Sequence, residues 1–272
     1  MNPIQSILVH MDSGPHCGSR LQIARALAGQ LGASVTALYA VTPAYVEMSA
    51  LFTAGVPNDA LLALDEARLA TARQLVSSAC AQPGVQIEWQ EARDAPEHSF
   101  VGQALYADLL VLGQHDRDHR ETGVLPDFAQ SVVIASGRPA LVVPYIGVRK
   151  ATFDTVLVAW KETRESARAL TAALPILSTA DTVHVALDAD VPDVRKTLLQ
   201  RFLQRHGVEA RYHTLAGGGP EIGELMLSMA ADLSAELMVM GCYGHSRGRE
   251  LVLGGASRTI VRSMTLPVLM AH

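Results

Sequence analysis

Residues 235–257 read AELMVMGCYGHSRGRELVLGGAS. The run from Leu237 to Met240 is apolar, the next stretch is rich in glycine, and a helical pattern follows the last glycines. A short apolar run is typical of a parallel strand that is buried on both faces. Glycine allows a tight turn between such a strand and a helix. This stretch therefore predicts a strand, a glycine loop and a helix, in that order.

The same pattern occurs once more, earlier in the chain. Residues 107–113 (ADLLVLG) match residues 235–241 (AELMVMG). At the same offset, residues 139–142 (PALV) match residues 267–270 (PVLM). Self-similarity along most of a chain indicates two copies of one structural unit. We predict domains at 1–146 and 152–272, joined by a short linker.

Apolar runs of strand length alternate with helical patterns in both copies. Ala167, Leu170, Leu174 and Leu177 share one helical face, and we predict the same for Leu62, Leu69 and Val76. The predicted strands are 7–9, 35–41, 85–89, 109–112 and 140–143 in the first copy, and 156–160, 182–187, 208–212, 237–240 and 268–270 in the second. This alternation predicts an α/β fold with right-handed crossovers and a parallel sheet in each copy.

The composition excludes several classes of protein. Hydrophobic residues make up 49% and charged residues 18% of the chain, which suits a folded core, and the net charge of −5 gives no basic excess for nucleic-acid binding. No apolar run reaches the roughly 18 residues of a membrane span, and we find no signal-peptide pattern. The three cysteines form no CxxC pair. We expect a soluble, cytoplasmic protein with no nucleic-acid or membrane partner.

The glycine loop, defined here as residues 241–257, has the features of a phosphate-binding site. It follows a predicted strand and precedes a predicted helix, whose N-terminal amides and dipole favour an anion. His245 and Arg247 add positive charge, and Ser257 adds a hydroxyl. In an open parallel sheet, ligands bind beyond the carboxyl ends of the strands. The end of the strand at 156–160 should lie at the same place.

The pattern Gly241-x2-Gly244-x9-Gly254 resembles the ATP-binding motif of the universal stress protein family. The resemblance implies two flavodoxin-like (HUP-type) domains, each with a five-stranded parallel sheet of order 3-2-1-4-5. It also implies a pseudo-twofold pair formed through the last strands, with further homodimerisation left open. The implied ligand is ATP, ADP or AMP, with or without Mg²⁺. The implied site consists of Trp160, Lys161, Val185, Met240, Gly241, Gly244, His245, Arg247, Gly254, Gly255, Ala256 and Ser257.

The second copy departs from the family pattern at two positions. Gly255 follows Gly254 where the motif has Ser or Thr, and Ser257 is a candidate for the missing hydroxyl. Lys161 stands where ATP-binding members have an aspartate that contacts adenine. A lysine removes that acceptor and could reach a phosphate instead. Val185, which we place at the end of the second strand, resembles the adenine-packing valine.

The first copy departs in the opposite way. Asp12 occupies the family's aspartate position, and Gly113 is kept, but Asp116 replaces the second glycine, and Pro126 and Asp127 replace the glycine pair. Carboxylates repel a phosphate, and proline lacks an N–H donor. We predict that the first copy does not bind ATP in the family manner. We interpret Asp12 as a helix-cap or loop carboxylate.

Other chemistry has little support in the sequence. No HExxH spacing occurs, and we interpret the cluster His115, Asp116, Asp118 and His119 as a solvated loop rather than a metal site. Cys242 directly follows Gly241 in the glycine loop, with no pattern that would activate a thiol. Three functions stay open: a nucleotide-binding stress or signalling module, an interaction or scaffold module without a ligand, and, ranked last, a slow ATPase. Whether the protein is an enzyme is left open, with the negative answer favoured.

Overall fold

The structure is a computed structural model that describes residues 4–44, 46–47, 58–92, 96–116, 118–119, 122–148, 150–215, 222–242 and 255–272. Packing divides the chain into two compact units. The first unit contains Met1–Arg138 and Tyr145–Gly147, and the second contains Pro139–Pro144 and Val148–His272. Each unit is an α/β structure with strands flanked by helices, as the sequence predicts.

The described residues of the first unit form four parallel strands in the order β3-β2-β1-β4. They are β1 (Ser6–Met11), β2 (Ser34–Tyr39), β3 (Ile87–Glu91) and β4 (Leu109–Gly113). The helices are α1 (Cys17–Leu31), α2 (Asn58–Cys80), α3 (Pro96–Ala104) and α4 (Phe128–Ser136). Leu109 to Leu112 are all buried, which explains why β4 lacks an alternation of apolar and polar residues.

The second unit has the strand order β5-β10-β9-β6-β7-β8. The strands are β5 (Ala140–Val143), β6 (Thr155–Ala159), β7 (Thr182–Asp188), β8 (Ala210–Leu215), β9 (Leu237–Gly241) and β10 (Val268–Ala271). The helices are α5 (Arg164–Leu177), α6 (Asp193–Arg205), α7 (Ile222–Asp232) and α8 (Gly255–Ser263). The order β8-β7-β6-β9-β10 is the predicted 3-2-1-4-5, and all of its pairs are parallel.

Strand β5 comes from the first sequence copy but packs with the second unit. It runs antiparallel to β10, with Leu141 opposite Leu269 and Val142 opposite Val268. All four β5 residues, Ala140 to Val143, are buried. An apolar strand edge is a template for association, and this pairing covers it. The boundary between the packing units therefore differs from the sequence boundary, and the predicted domain limits stay a prediction.

Each copy has a carboxylate, at matching positions, that accepts hydrogen bonds from the backbone at the start of its first strand. Asp108 Oδ2 accepts hydrogen bonds from the backbone amides of Gln5 and Ser6, both at 3.0 Å. At the matching position, Glu236 Oε2 accepts from the amides of Asp154 at 2.6 Å and Thr155 at 3.3 Å. Each carboxylate satisfies two backbone N–H donors that lie before or at the first residues of the strand. This contact supports the alignment of the two copies.

The helices follow the predicted periodicity in α5 but only partly in α2. Leu170, Leu174 and Leu177 of α5 are buried, while Ala167 is exposed. In α2 the prediction is correct for Val76, which is buried, and wrong for Leu62, which is 58% exposed. Leu69 is half-buried, and the buried face runs through Leu61, Arg68, Ala72 and Val76. A buried arginine displaces this face by one residue from the leucine pattern. Among the helices of the described residues, none is both long and apolar enough to cross a membrane.

Candidate functional site

The end of β6 forms a tight turn that leads into α5. The amide of Trp160 donates to the Ala186 carbonyl at 3.0 Å, so Trp160 still follows the edge of β7. The amide of Thr163 donates to the Lys161 carbonyl at 2.7 Å. Thr163 then caps α5, because its Oγ1 accepts from the Ser166 amide at 3.2 Å. The turn leaves Lys161 exposed and Trp160 half-buried at the carboxyl end of the strand.

Strand β9 ends beside this turn. Its Met240 lies opposite Ala159 of β6 and is buried, so the ends of the two strands are neighbours, as the predicted strand order requires. Gly241 is the last residue of β9. A Cβ at Gly241 would lie 2.7 Å from the Glu165 carbonyl carbon and 2.9 Å from Ser166 Cα. The close approach of β9 to the N-terminus of α5 thus requires glycine at this position.

The described end of the glycine loop is the first turn of α8. Gly255 is exposed, Ala256 is half-buried, and Ser257 is buried at 6% exposure. The helix packs on α7 so closely that a Cβ at Gly223 would lie 3.1 Å from the Ala256 carbonyl oxygen. The burial of Ser257 directs its hydroxyl away from solvent. Gly244, His245, Arg247 and Gly254 lie outside the described residues, and their roles stay predictions.

Val185 lies at the centre of β7 and not at its end, as the sequence analysis placed it. Strand β7 continues to Asp188, three residues beyond Val185. Val185 is fully buried between Val158 of β6 and Tyr212 of β8 in the register of the sheet. The predicted strand ended at residue 187. An apolar run does not show which of its residues lies at the ligand-binding edge of the sheet. The position nearest the Trp160 turn is Ala186, whose carbonyl accepts from the Trp160 amide.

Glu165 is a charged residue at this site that the sequence analysis missed. It lies in the first turn of α5, is 3% exposed, and its Oε1 accepts from Arg164 Nε at 2.5 Å. Burial alone raises the pKa of Glu165, but the hydrogen bonds from Arg164, Thr163 and its own backbone amide, together with the Arg164 charge, outweigh burial and lower the pKa below its ordinary value. The signal in the sequence that could have identified Glu165 was an acidic residue directly after the arginine that starts the helix. The carboxylate adds negative charge at the amide end of α5.

Cys242 is buried and chemically quiet. Burial raises the pKa of its thiol to about 12, and the nearby Glu165 carboxylate contributes to the rise. The thiol therefore stays protonated at neutral pH, and a thiolate is the reactive form. Its amide donates to the Ala271 carbonyl at 2.9 Å, which joins the end of β9 to β10. Among the described residues, no group of three or more His, Cys, Asp or Glu side chains could hold a metal ion.

The end of β1 in the first unit contains an internal ion pair. Arg20 Nη2 donates to Asp12 Oδ2 at 2.5 Å, and Arg20 Nε donates to the His10 carbonyl at 3.2 Å. Asp12 Oδ1 accepts from the Gly14 amide at 2.6 Å, so Asp12 is a loop carboxylate, whereas His16 precedes α1 as its N-cap. Burial alone raises the pKa of Asp12, but the charges of Arg20 and His10 and the hydrogen bonds from Gly14 and Arg20 together outweigh burial and hold the pKa below its ordinary value.

Arg20 also occupies the space next to Gly113. A Cβ at Gly113 would collide with the Arg20 guanidinium, whose Cζ would lie 3.1 Å away. Arg20 and Asp12 are only 6% and 4% exposed. The carboxylate that resembles the adenine contact is thus occupied by the chain's own arginine. The sequence analysis named Asp12 and Gly113 but missed Arg20, because nothing in a helical pattern shows which way an arginine side chain turns.

In the first unit, the loop after β4 matches the glycine loop in sequence position, and its own side chains form hydrogen bonds within the unit. Asp116 Oδ1 accepts from the Asp118 amide at 2.9 Å, and Asp116 Oδ2 lies 2.8 Å from His119 Nδ1. Gln114 Oε1 accepts from the Tyr145 amide at 3.0 Å. Pro126 and Asp127 are exposed at the start of α4. Carboxylates and a proline stand where the second copy has glycines.

Comparisons with known proteins agree with this architecture. The model of the universal stress protein family matches the chain twice, at residues 3–144 and 152–272. A universal stress protein from Archaeoglobus fulgidus is similar in structure with a TM-score of 0.70 at 18% identity, over 97% of this chain and 94% of that one. No curated protein sequence matches the chain significantly.

Two further solved structures share the fold. One is a protein of unknown function from Pseudomonas aeruginosa, with a TM-score of 0.56 at 16% identity over 98% of this chain and 92% of that one. The other is the cytoplasmic domain of a prokaryotic cation chloride cotransporter, with a TM-score of 0.55 at 12% identity over 98% and 94%. At these identities the likeness shows the fold alone, and the fold serves proteins of different function.

Proposed function

Because the chain belongs to the universal stress protein family, we propose that its second unit binds an adenine nucleotide at the glycine loop and acts as a stress-response or signalling module. The observation that carries the proposal is the pattern Gly241-x2-Gly244-x9-Gly254 between β9 and α8. Gly241 ends β9, and its neighbour strand β6 ends in the exposed Lys161. Loop amides and the N-terminus of α8 would hold the phosphates.

Lys161 and Glu165 set the charge around the proposed ligand. Lys161 would attract a phosphate group, whereas the buried Glu165 carboxylate at the start of α5 would repel it. The ligand would be ATP, ADP or AMP, with or without Mg²⁺. Glu165→Gln should therefore raise the affinity for ATP, and Lys161→Asp should lower it while favouring contacts to the adenine ring.

The first test is whether nucleotide is present and binds. Freshly purified protein is denatured, the released small molecules are identified by mass spectrometry, and ATP, ADP and AMP are then titrated calorimetrically. A dissociation constant near the micromolar level, about −8 kcal/mol, would support the proposal. No released nucleotide and no binding heat would favour the alternative function.

The glycine loop itself is tested by Gly244→Asp, which introduces the residue type that the first copy has at the matching position. We expect this variant to lose nucleotide binding. The matched control is Gly102→Asp in α3, an exposed site where a Cβ would meet nothing within 4 Å. The control adds the same charge away from the loop. Full affinity in the Gly244→Asp variant would assign the nucleotide to another site.

The second candidate function is an interaction module of the same fold without a ligand. It is favoured by Gly255 and Lys161, which depart from the family pattern, and by Arg20, which fills the equivalent site of the first unit. In that case the nucleotides fail to bind and the Gly244→Asp change has no effect. A slow ATPase ranks below both, because no general base stands out among the described residues of the site.

A further inference from the structure

Two histidines of the second unit share one face of the sheet at its β7–β8 edge. In the parallel register His184 of β7 lies opposite Arg211, and Ala186 lies opposite His213. His213 is two residues beyond Arg211, so its side chain is on the same face as that of His184. His184 Nδ1 lies 2.8 Å from His213 Nε2, and the ring centroids are 4.9 Å apart.

The contact between the two rings requires a bare nitrogen. A hydrogen bond between two imidazole nitrogens contains one proton, so at least one of the two rings presents a lone pair to the other. Burial lowers the pKa of His184, and the nearby His213 and Arg211 lower it further. Neutral imidazole is the form that binds metal ions. His184 is 6% exposed and His213 is half-buried, so the pair can be reached from one side.

The two nitrogens are close enough together for one metal ion to bind both. Two nitrogens at about 2.0–2.1 Å from a metal are about 2.9 Å apart at a right angle and about 3.3 Å apart at the tetrahedral angle. The observed 2.8 Å is close to the right-angled value. This separation is also the length of an N–H···N hydrogen bond, and with the ring centroids 4.9 Å apart the two rings point at each other. Loss of the shared proton and rotation of both rings would direct both lone pairs to one ion.

We propose that His184 and His213 form a binding site for a divalent transition-metal ion such as Cu²⁺ or Ni²⁺. The histidines supply two neighbouring positions and water supplies the others, since no larger ligand cluster occurs among the described residues. Affinity should follow the order Cu²⁺ above Ni²⁺, with Zn²⁺ below Cu²⁺, as is usual for sites with nitrogen ligands. The site uses no residue of the proposed nucleotide site.

Arg211 is the charged neighbour that limits this affinity. It lies opposite His184 in the register and contributes to the low pKa of that ring. A guanidinium repels a metal ion as it repels a proton. Arg211→Gln should therefore tighten metal binding about threefold while leaving the two ligands in place.

The test is a calorimetric titration of the untagged protein with CuCl₂ and with NiCl₂ in a non-chelating buffer at pH 7.5. We expect His213→Gln to weaken Cu²⁺ binding at least tenfold. The matched control is His206→Gln, which removes a histidine that packs edge-on against Phe202 at the end of α6. The control should bind Cu²⁺ like the unchanged protein. Equal affinity in the His213→Gln variant would overturn the proposal.

Electron paramagnetic resonance of the unchanged protein covers the case in which a histidine variant does not fold. Stoichiometric Cu²⁺ should show superhyperfine splitting from two equivalent nitrogens. A signal from no nitrogen or from a single one would overturn the site. Failure here leaves nucleotide binding untouched, because ATP titration and the Gly244→Asp variant report on a different part of the second unit.

Discussion

The ends of β1 and β6 are equivalent positions in the two copies, and they have opposite character. After β1, Asp12 and Arg20 form an ion pair in which both side chains are almost fully buried. After β6, Lys161 aligns with Asp12 and is exposed, and Ala169 aligns with Arg20. The first site is filled by the chain's own charges, and the second retains the glycines. One fold thus uses the same place once for its own stability and once, we propose, for a ligand.

The largest expected effect is on the buried ion pair. Arg20→Ala should lower the free energy of unfolding by about 3–5 kcal/mol, because it leaves the Asp12 carboxylate buried without its partner. Denaturant unfolding measures the change. The matched control is Arg168→Ala, which removes an exposed arginine of α5 whose Nη1 donates to the His272 carbonyl at 2.8 Å. It should cost less than about 1 kcal/mol.

Combining Asp12→Asn with Arg20→Met sharpens this result. Removing both charges should recover part of the loss, since the cost arises from the unpaired charge and not from the absence of the pair. If Arg20→Ala were as mild as Arg168→Ala, the first site would not depend on the ion pair.

Acid should destabilise the protein through His10, whose counterpart in the second copy is Ala159. Burial lowers the pKa of His10 in the folded protein to about 4, from 6.5 when unfolded. Below pH 6.5 the unfolded chain therefore binds a proton that the folded chain does not. Stability should fall by up to about 1.4 kcal/mol per pH unit, which adds up to about 1.6 kcal/mol between pH 6.5 and 5.

Because the pKa of Asp12 is lowered in the folded protein, a further loss of folding stability is expected at still lower pH, where this carboxylate takes up a proton. His10→Phe isolates the histidine contribution, because a phenyl ring can pack against Phe128, which lies 4.3 Å from the His10 ring between centroids. Urea unfolding at pH 6.5 and pH 5 should show a smaller difference for the variant. An equal difference in both proteins would assign the acid sensitivity to other groups.

The two strand-end glycines offer a direct comparison. Gly241→Ala should cost about 2 kcal/mol, because its Cβ meets the backbone of Glu165 and Ser166, which can move only with α5. Gly113→Ala should cost less, because its Cβ meets the end of the Arg20 side chain, which can shift. Thermal unfolding of both variants measures the order. The reverse order would mean that the guanidinium is held more rigidly than the helix terminus.

The smallest effect is expected where the copies agree. Asp108→Ala and Glu236→Ala each remove an acceptor for two backbone amides and should each cost about 1 kcal/mol. Asp108→Asn and Glu236→Gln, which keep one oxygen acceptor, should cost less. Calorimetric unfolding of the four variants tests whether the shared contact is equally important in both copies.

The strands could be predicted well because burial on both faces leaves an unbroken apolar run. Ala140–Val143 has the predicted limits, and Leu237–Gly241 extends its prediction by one residue. Side-chain direction could not be predicted in the same way. Arg20 and Arg68 are buried arginines in helical patterns that would ordinarily place them at the surface. The wrong face of α2 follows from treating Leu62 as core, whereas Arg68 takes the core position.

The placement of candidate residues at the strand ends was predictable, but their contacts were not. Spacing and resemblance located Gly241, Lys161 and Asp12 near the strand ends, because parallel strands end at one edge of a sheet. The contact between His184 and His213 depends on the register of two strands, which an apolar pattern does not fix. Val185 shows the same limit, since the depth of a residue below the edge depends on where its strand ends.

The pairing of β5 with β10 also has a consequence for biosynthesis. The ribosome completes Ala140–Val143 about 125 residues before Val268–Ala271. At an elongation rate of about 5–20 residues per second, β5 waits on the order of ten seconds for this partner. During that interval, an apolar strand of the nascent chain lacks its antiparallel neighbour. Chaperone capture of ribosome-bound chains should therefore be strongest while residues 148–267 are being synthesised.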